Sequence, residues 1–164
     1  MKTTASRLFF LTLFLCTLLG AGSSAVAQSA SNAASQTAPD TLVANLYKQH
    51  KRRSPFFQTR SRALLYKYFE KDLADMIWKD AVKSKGEVGA IDGDPLYDAQ
   101  DMEIKKFAIA LPRYADGKAR VNVTFENFKQ PKSFIFTLVN GRTGWRISNI
   151  EYGEGRSLRG YLKG

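Results

Sequence analysis

The residues best suited to chemistry lie in the segment DGDPLYDAQDME, residues 92–103, which we call the acidic segment. Clustered carboxylates bind calcium, act as general acids and bases, or pair with cations in a structural turn. The spacing and the neighbouring residues decide which of these three kinds of site the sequence favours. The five carboxylates of this segment are Asp92, Asp94, Asp98, Asp101 and Glu103.

The acidic segment does not match a twelve-residue EF-hand calcium loop at two positions that the loop geometry requires. Such a loop needs an oxygen ligand at its fifth position and glycine at its sixth, where Leu96 and Tyr97 stand. Pro95 also stiffens the backbone. A calcium site of another kind remains an alternative, but we expect no metal and no cofactor.

General acid–base catalysis has little support in the sequence. Carboxylates in a loop do not fix the separation that a catalytic pair needs. The single histidine, His50, is followed by Lys51, Arg52 and Arg53, which is more typical of a structural or surface helix residue than of a base. The sequence has no nucleophile elbow, Walker loop, dinucleotide-binding glycine motif or HExxH helix. We therefore predict no catalytic residue.

The N-terminus has the parts of a secretory signal peptide. Lys2 and Arg7 precede the apolar run LFFLTLFLCTLLGAG. Ala25 and Ala27 supply the small side chains that signal peptidase accepts, so we expect the mature chain to begin at Gln28. The protein is then periplasmic or secreted, with no membrane span in the mature chain; an uncleaved membrane anchor is the alternative.

Three parts follow from this interpretation: a cleaved signal peptide over residues 1–27, a flexible tether over residues 28–40, and a single domain over residues 41–164. The one cysteine, Cys16, leaves with the signal peptide. The mature chain then has no disulfide, catalytic thiolate or cysteine-ligated metal.

The charge balance is compatible with an anionic partner, although an ordinary solvated basic surface is the more common meaning of such a charge. The formal net charge is +10, and the loss of Lys2 and Arg7 with the signal peptide leaves +8. In an exported protein, this favours an acidic protein or an anionic envelope component over nucleic acid, for which the sequence shows no binding motif. The basic residues that we expect to form a surface patch are Lys48, Lys51, Arg52, Arg53, Arg60 and Arg62.

Two helices are predicted before the acidic segment. The first starts at Pro39 with Asp40 as its N-cap and ends before Pro55. The second begins near Thr59 or Ser61 and ends near Lys85-Gly86. Apolar side chains repeat at helical spacing in both helices, which predicts that each helix buries one face.

Four strands are predicted after the acidic segment, over residues 107–111, 120–126, 134–139 and 144–152. The third is apolar on both faces, which indicates a central strand. Short turns require antiparallel pairing. The predicted fold is α+β: two N-terminal helices on a curved four-stranded antiparallel meander, cone-like, with a short C-terminal helical turn that Ser157 caps.

The stretches GDPLYDAQD, ARVNVTFENFKQPKSFIFTLV and GWRISNIEYGEGRSLRGYL resemble a family of bacterial periplasmic proteins and lipoproteins of unknown function. The resemblance covers residues 41–163 and implies a cone-shaped α+β fold of the nuclear-transport-factor or cystatin-like type. It implies no established activity. The positions that match the family's motifs are Asp94, Pro95, Ala99, Gln100, Asp101, Gly144, Trp145, Ile147, Gly155, Ser157, Leu158 and Arg159.

We interpret the acidic segment mainly as structure. Pro95 is expected to fix a turn, Gln100 or Asp101 to cap it, and Asp101 to form a salt bridge with Arg156 or Arg159. A ligand-binding role is the alternative. The candidate ligand- or partner-binding residues are Asp94, Asp98, Gln100, Asp101, Trp145, Arg156 and Arg159.

The sequence supports a non-enzymatic binding or protein-interaction module most strongly. The alternative is a small-molecule enzyme with an acid–base site in the mouth of the cone. A deep cavity with an aspartate beside a tyrosine or histidine would favour the enzyme. A cone filled by Phe107, Phe125, Phe136 and Trp145 would favour the binding module.

Overall fold

Four helices and six strands make up the part of the chain that the computed structural model describes, residues 36–85 and 87–163. The predicted signal peptide, residues 1–27, and residues 28–35 of the predicted tether lie outside that part. The helices are α1 (Pro39–Arg52), α2 (Ala63–Tyr68), α3 (Lys71–Ser84) and α4 (Leu158–Lys163). The strands are β1 (Ile104–Ile109), β2 (Arg113–Ala115), β3 (Lys118–Asn127), β4 (Gln130–Gly141), β5 (Gly144–Gly153) and β6 (Arg156–Ser157).

Helix α1 forms where the apolar spacing predicts it, but its cap differs. Ala38 occupies the N-cap position, Pro39 is the first helical residue, and Asp40 lies in the first turn. No side chain caps this end, so the prediction of Asp40 as N-cap is wrong. An acidic residue in the first turn still interacts favourably with the helix dipole. The helix ends at Arg52, before Pro55 as predicted.

The predicted second helix is two helices, α2 and α3, with a break at Phe69 and Glu70. Phe69 is extended and forms a parallel bridge with Ile147 of strand β5, and the Glu70 amide donates to the Ile147 carbonyl at 2.9 Å. The break turns the Phe69 ring into the core, where it lies 5.3 Å from the Phe56 ring. These distant contacts outweigh the continuous helical pattern of the local sequence.

The sheet is open, antiparallel and six-stranded, with the order β1-β3-β4-β5-β6, and β2 also pairs with β3. The prediction of four strands was therefore too low. The two additional strands, β2 and β6, have three and two residues, too few to show an alternating pattern. Strand β4 lies between two long neighbours, which confirms the prediction of a central strand.

Strand β1 departs from the predicted alternation because it contains a β-bulge. Lys106 and Phe107 together oppose one position of β3, and Lys106 has a left-handed φ of 50°. A bulge re-aims the side chains beside it. Leu111 lies beyond the strand and is 81% exposed, so the predicted bounds of this strand, residues 107–111, are wrong at both ends.

The core lies between the helices and one face of the sheet. Helix α1 contributes Leu42, Val43, Leu46 and Tyr47, and the sheet contributes alternate residues of β3 and the centre of β4. Within the described residues, no helix has both the length and the apolarity to cross a bilayer. Other buried residues are Leu65, Tyr68, Leu73, Ile77, Val121, Val123, Phe125, Phe134, Phe136, Leu138, Ile147 and Ile150.

Candidate functional site

The acidic segment forms a compact turn just before the sheet. Asp94 and Ala99 form a bridge, and the Asp94 amide donates to the Ala99 carbonyl at 2.8 Å. Pro95 begins the turn, as predicted. The cap is Asp94 instead of Gln100 or Asp101, because the Asp94 Oδ1 accepts the Leu96 amide at 2.9 Å. A short carboxylate that binds its own backbone two residues on stabilises such a turn.

Two buried tyrosines hold this turn against the core. The Tyr47 hydroxyl of helix α1 donates to the Leu96 carbonyl at 2.9 Å, and the Tyr152 hydroxyl of strand β5 donates to the Pro95 carbonyl at 2.8 Å. Burial, followed by the charge of nearby groups, raises the pKa of both tyrosines far above the ordinary value. Both hydroxyls therefore remain protonated donors.

His50 and Asp94 form a hydrogen-bonded pair at the same place. His50 Nε2 lies 2.7 Å from Asp94 Oδ2, and the two side chains are 10% and 15% exposed. The other ring nitrogen of His50, Nδ1, is buried and has no hydrogen-bond partner among the described residues. Because a buried N–H without an acceptor is costly, this geometry favours the tautomer with its proton on Nε2, donated to Asp94.

A cleft of about 510 Å³ opens on one side of the His50–Asp94 pair, and we call it the aromatic cleft. It runs between helix α1 and strand β1, and its walls are mainly aromatic and aliphatic. Its volume lies within the usual range for small-molecule sites of roughly 300–1,000 Å³. The lining residues are Tyr47, His50, Lys51, Asp94, Tyr97, Met102, Ile104 and Phe107.

The β-bulge of strand β1 shapes the aromatic cleft. It directs Phe107 towards helix α1, where its ring meets the Tyr47 ring edge-on at 4.8 Å. Phe107 is 41% exposed and Met102 is 45% exposed, so both present apolar surface to solvent at the cleft. Lys51 is exposed beside them and lies within 4 Å of no carboxylate in the described residues. Among the described residues, the cleft thus combines an apolar wall with one cation that has no carboxylate partner.

A second cleft of about 600 Å³ opens on the other side of the pair, and we call it the helical cleft. It is lined by the loop after α1, by the end of α3 and by the residues before the turn. Its walls are more polar than those of the aromatic cleft, with three hydroxyl side chains in its lining. Among its lining residues are His50, Ser54, Phe57, Ser84, Val88 and Asp94.

The prediction of an Asp101 salt bridge is wrong. The Asp101 side chain is exposed, and the Asp101 backbone carbonyl accepts a bond from Asn127 Nδ2 at 3.1 Å. Asp98, three residues earlier, bonds Arg156 and accepts the Tyr161 hydroxyl at 2.9 Å. The acidic segment is therefore tied to the C-terminal part of the chain as expected, but through a different carboxylate.

The remaining candidate residues do not meet at one place. Arg159 bonds Glu70 at 2.6 Å and the Ser148 carbonyl at 2.6 Å, so it connects α4 to the α2–α3 break. Trp145 lies 5.8 Å from the Tyr114 ring and lines neither cleft. Gln100 lines the helical cleft. Of the seven candidates, Asp94 alone lines both clefts.

All six residues of the predicted basic patch are exposed on and after helix α1, and one of them is already paired. Arg62 bonds Asp75 at 3.0 Å and lies 5.3 Å from the centre of the Trp78 ring, so its charge is already partnered. Lys48, Lys51, Arg52, Arg53 and Arg60 are exposed, and none has a carboxylate within 4 Å in residues 36–85 and 87–163.

The chain matches no family model and no curated protein. It is similar to the structure of a phospholipid-binding protein from Ralstonia solanacearum, solved in complex with a phospholipid. The two sequences are 19% identical, the comparison covers 84% of this chain and 81% of that one, and the TM-score is 0.36. A likeness this distant transfers no ligand and no family, so the resemblance to periplasmic proteins stays a prediction.

Sequence reasoning missed most of the cleft residues. Aromatic and apolar residue types are usual in cores, so sequence alone does not mark Tyr47, Tyr97, Phe107 and Met102 as cleft residues. The basic residues after His50 are more typical of a structural or surface residue than of a binding residue. One sequence signal was available: Tyr47 and His50 are three positions apart and share a helix face. Within the described residues, no group of three or more histidines, cysteines and carboxylates could hold a metal ion.

Proposed function

We propose that this protein is an exported, non-enzymatic binding module that holds a small amphipathic anion in its aromatic cleft. The observation that carries the proposal is the combination of exposed apolar side chains, Phe107 and Met102, with Lys51, a cation that no carboxylate of the described residues pairs with, at the same cleft. An apolar ligand body would cover the aromatic wall, and an anionic head group would pair with the Lys51 ammonium.

The proposal has an energetic basis. Covering an exposed phenylalanine removes apolar surface from water, which stabilises a complex by about 25 cal/mol per Å². A single ammonium at the rim adds modest affinity, but it selects acids over neutral compounds. The His50–Asp94 pair gives the cleft a polar, rigid inner side, because both side chains are largely buried and joined by a hydrogen bond.

The alternative, an acid–base enzyme, begins from the same pair, since an aspartate beside a histidine and a tyrosine is what a catalytic site would need. A general base must present a nitrogen within reach of its substrate. Here His50 Nε2 is engaged by Asp94 and Nδ1 is buried, while the Tyr47 hydroxyl is committed to the Leu96 carbonyl. The pair is therefore better suited to hold the loop against α1 than to transfer protons.

The proposal is tested with cis-parinaric acid, a fluorescent fatty acid, and with its neutral methyl ester. We expect saturable binding of the acid. Phe107→Ser is expected to weaken binding of both probes about tenfold or more, because it removes the exposed part of the wall. Lys51→Ala should weaken binding of the acid alone.

Matched controls are available in the same chain. Phe128 is 52% exposed and lines none of the clefts described above, so Phe128→Ser should leave probe binding unchanged. Lys48 is on the same helix and exposed, and Lys48→Ala should also have little effect. Absence of saturable binding, or equal losses in Phe107→Ser and Phe128→Ser, would refute the proposed site.

Export is the second part of the proposal and rests on the sequence. The small residues Ala25 and Ala27 place the cleavage site before Gln28. Intact-mass analysis of protein recovered from the periplasm or medium should give a chain that starts at Gln28. A chain that keeps Met1, or one that carries lipid on Cys16, would contradict it.

A further inference from the structure

The helical cleft is acidic, although the formal net charge of the chain is +10. Among the described residues, its lining contains the carboxylates of Glu87, Asp92 and Asp94 and neither lysine nor arginine. Asp94 is already bonded to His50 and to the Leu96 amide. Glu87 and Asp92 are exposed, and within the described residues no lysine or arginine nitrogen lies within 4 Å of either carboxylate. Two carboxylates of the cleft therefore have no cationic partner in this part of the chain.

The loop that carries these two carboxylates is fixed on helix α3. The Asp80 side chain of α3 accepts the Ala90 amide at 2.8 Å and the Ile91 amide at 3.3 Å. At the start of the loop, the Glu87 amide donates to the Ser84 carbonyl at 2.8 Å. The Ile91 side chain is buried beneath the loop. A loop held in this way loses little conformational freedom when a ligand binds, so its carboxylates are preorganised.

Apolar side chains line the same cleft. Phe57, in the loop after α1, is 53% exposed, and Val88, in the loop after α3, is 78% exposed. Ala81 and Ile91 also line the cleft and are buried. The volume of about 600 Å³ lies in the range of small-molecule sites. The cleft can thus cover the apolar body of a small ligand.

The wall that the two clefts share also offers hydrogen-bond acceptors. The His50 side chain is 10% exposed, and its Nδ1 has no hydrogen-bond partner among the described residues. With the proton on Nε2, Nδ1 is an acceptor. The hydroxyl oxygens of Ser54, Thr59 and Ser84, which line the helical cleft, accept hydrogen bonds as well. A ligand that brings hydrogen-bond donors suits such a lining.

We propose that the helical cleft binds an organic cation, an ammonium group on an apolar body. The ammonium pairs with Glu87 or Asp92, and the body packs against Phe57 and Val88. An ammonium has donors and no acceptor, and an aromatic face such as that of Phe57 attracts cations. This ligand is opposite in charge to the one proposed for the aromatic cleft, and its binding does not depend on that cleft.

The arrangement favours an organic cation over a metal ion. Within the described residues, no group of three or more histidines, cysteines and carboxylates could hold a metal. A metal ion needs several ligands that converge on one point. An organic ammonium needs one carboxylate and an apolar surface beside it, and the helical cleft provides both.

The test is an NMR titration of the purified protein with three probes of similar shape: 2-phenylethylamine, neutral 2-phenylethanol and anionic 3-phenylpropionate. The amides of Phe57, Ser84 and Val88 report binding in the helical cleft. We expect saturable shifts with the amine and about fivefold weaker binding of the alcohol, because an exposed ion pair contributes up to about fivefold in affinity. Absence of saturable shifts with the amine, or equal affinity for the anion at these amides, would overturn the proposal.

The charge component has a matched control. Glu87→Gln with Asp92→Asn should weaken binding of the amine about fivefold, to nearly the affinity of the alcohol, and leave the alcohol unchanged. Asp72→Asn with Asp116→Asn removes the same charge at exposed carboxylates that line neither cleft, and should leave binding of the amine unchanged. Equal losses in the two double variants would show general attraction in place of a site.

The apolar component and the location are tested separately. Phe57→Ser should weaken binding of the amine and of the alcohol severalfold, whereas Phe128→Ser, at a similarly exposed phenylalanine elsewhere, should not. Lys51→Ala should leave the amine unaffected, and a loss there would place the amine in the aromatic cleft and contradict the proposal. The Glu87, Asp92 variant should still bind cis-parinaric acid, so failure of one cleft is distinguishable from failure of the other.

Discussion

His50 and Asp94 are 44 residues apart in sequence, and their side chains meet at 2.7 Å between helix α1 and the turn that precedes the sheet. The same aspartate binds the Leu96 amide through its other oxygen. One carboxylate therefore shapes the turn and attaches it to the helix. Both clefts border this contact, so their shapes depend on it.

The His50–Asp94 contact is tested with Asp94→Asn. Asparagine keeps an oxygen for the Leu96 amide, but its amide group cannot accept the His50 Nε2 proton. We expect a loss of about 1–3 kcal/mol in the free energy of unfolding, because a buried polar group loses its partner. Asp92→Asn, two residues earlier and exposed, should change stability by less than about 0.5 kcal/mol. Urea unfolding measures the free energy of unfolding of both variants. Equal losses in Asp94→Asn and Asp92→Asn would disprove the stabilising role of the His50–Asp94 pair.

The protonation of the single histidine is directly measurable. We expect nitrogen chemical shifts of His50 to show the tautomer with the proton on Nε2, since Nδ1 is buried and has no acceptor among the described residues. A proton on Nδ1 would contradict this geometry. Because the chain has one histidine, Asp94→Asn spectra can be compared without assignment of other rings.

The tie between the acidic segment and the C-terminal part is tested by comparing two aspartates. Asp98→Asn removes charge from the bonds to Arg156 and Tyr161, and we expect it to destabilise the fold by about 1 kcal/mol. The estimate stays low because Arg156 is 41% exposed and solvent screens such a pair. Asp101→Asn, with its exposed side chain, should be nearly neutral. Chemical denaturation measures both variants. A larger loss of unfolding free energy in Asp101→Asn than in Asp98→Asn would support Asp101 as the salt-bridge residue instead.

The burial of Tyr47 and Tyr152 predicts that the protein loses stability in alkali. An unfolded tyrosine has a pKa near 10, and burial raises the folded value far above it. The stabilising contribution is therefore complete below about pH 10 and falls as the pH rises further. At about pH 11, each tyrosine should cost about 1.4 kcal/mol. Unfolding free energies between about pH 9 and 11 should fall less steeply in Tyr152→Phe than in the parent chain. An unchanged slope would contradict the prediction.

Gly93 is predicted to be required at the entry to the turn. A Cβ atom at this position would lie 2.9 Å from the Ala99 carbonyl oxygen, a backbone atom that is itself hydrogen-bonded. Gly93→Ala should therefore cost about 1–3 kcal/mol, as overpacking does. Gly141→Ala is the control, because nothing lies within 4 Å of a Cβ there. Thermal unfolding midpoints of the two variants test this prediction. Equal midpoints would show that a Cβ atom at Gly93 is tolerated beside the Ala99 carbonyl oxygen.

The sequence by itself determined the elements whose residues repeat with a clear period. Helix α1 and strands β3 and β4 are where the apolar spacing predicts them, because one face of each must be buried. Ser157 caps helix α4 as expected, and its Oγ accepts the Gly160 amide at 3.0 Å. The α+β class follows from the same patterns.

Only the tertiary structure decided which polar groups meet. Local sequence cannot distinguish Asp98 from Asp101 as the partner of Arg156, because that choice depends on how the turn orients each carboxylate. It also cannot place Asp94 beside His50, break a helix at Phe69 or insert the bulge that turns Phe107 towards Tyr47. Each of these features depends on contacts between residues far apart in the chain, and such contacts override local preference when packing and hydrogen bonding gain more than the local pattern loses.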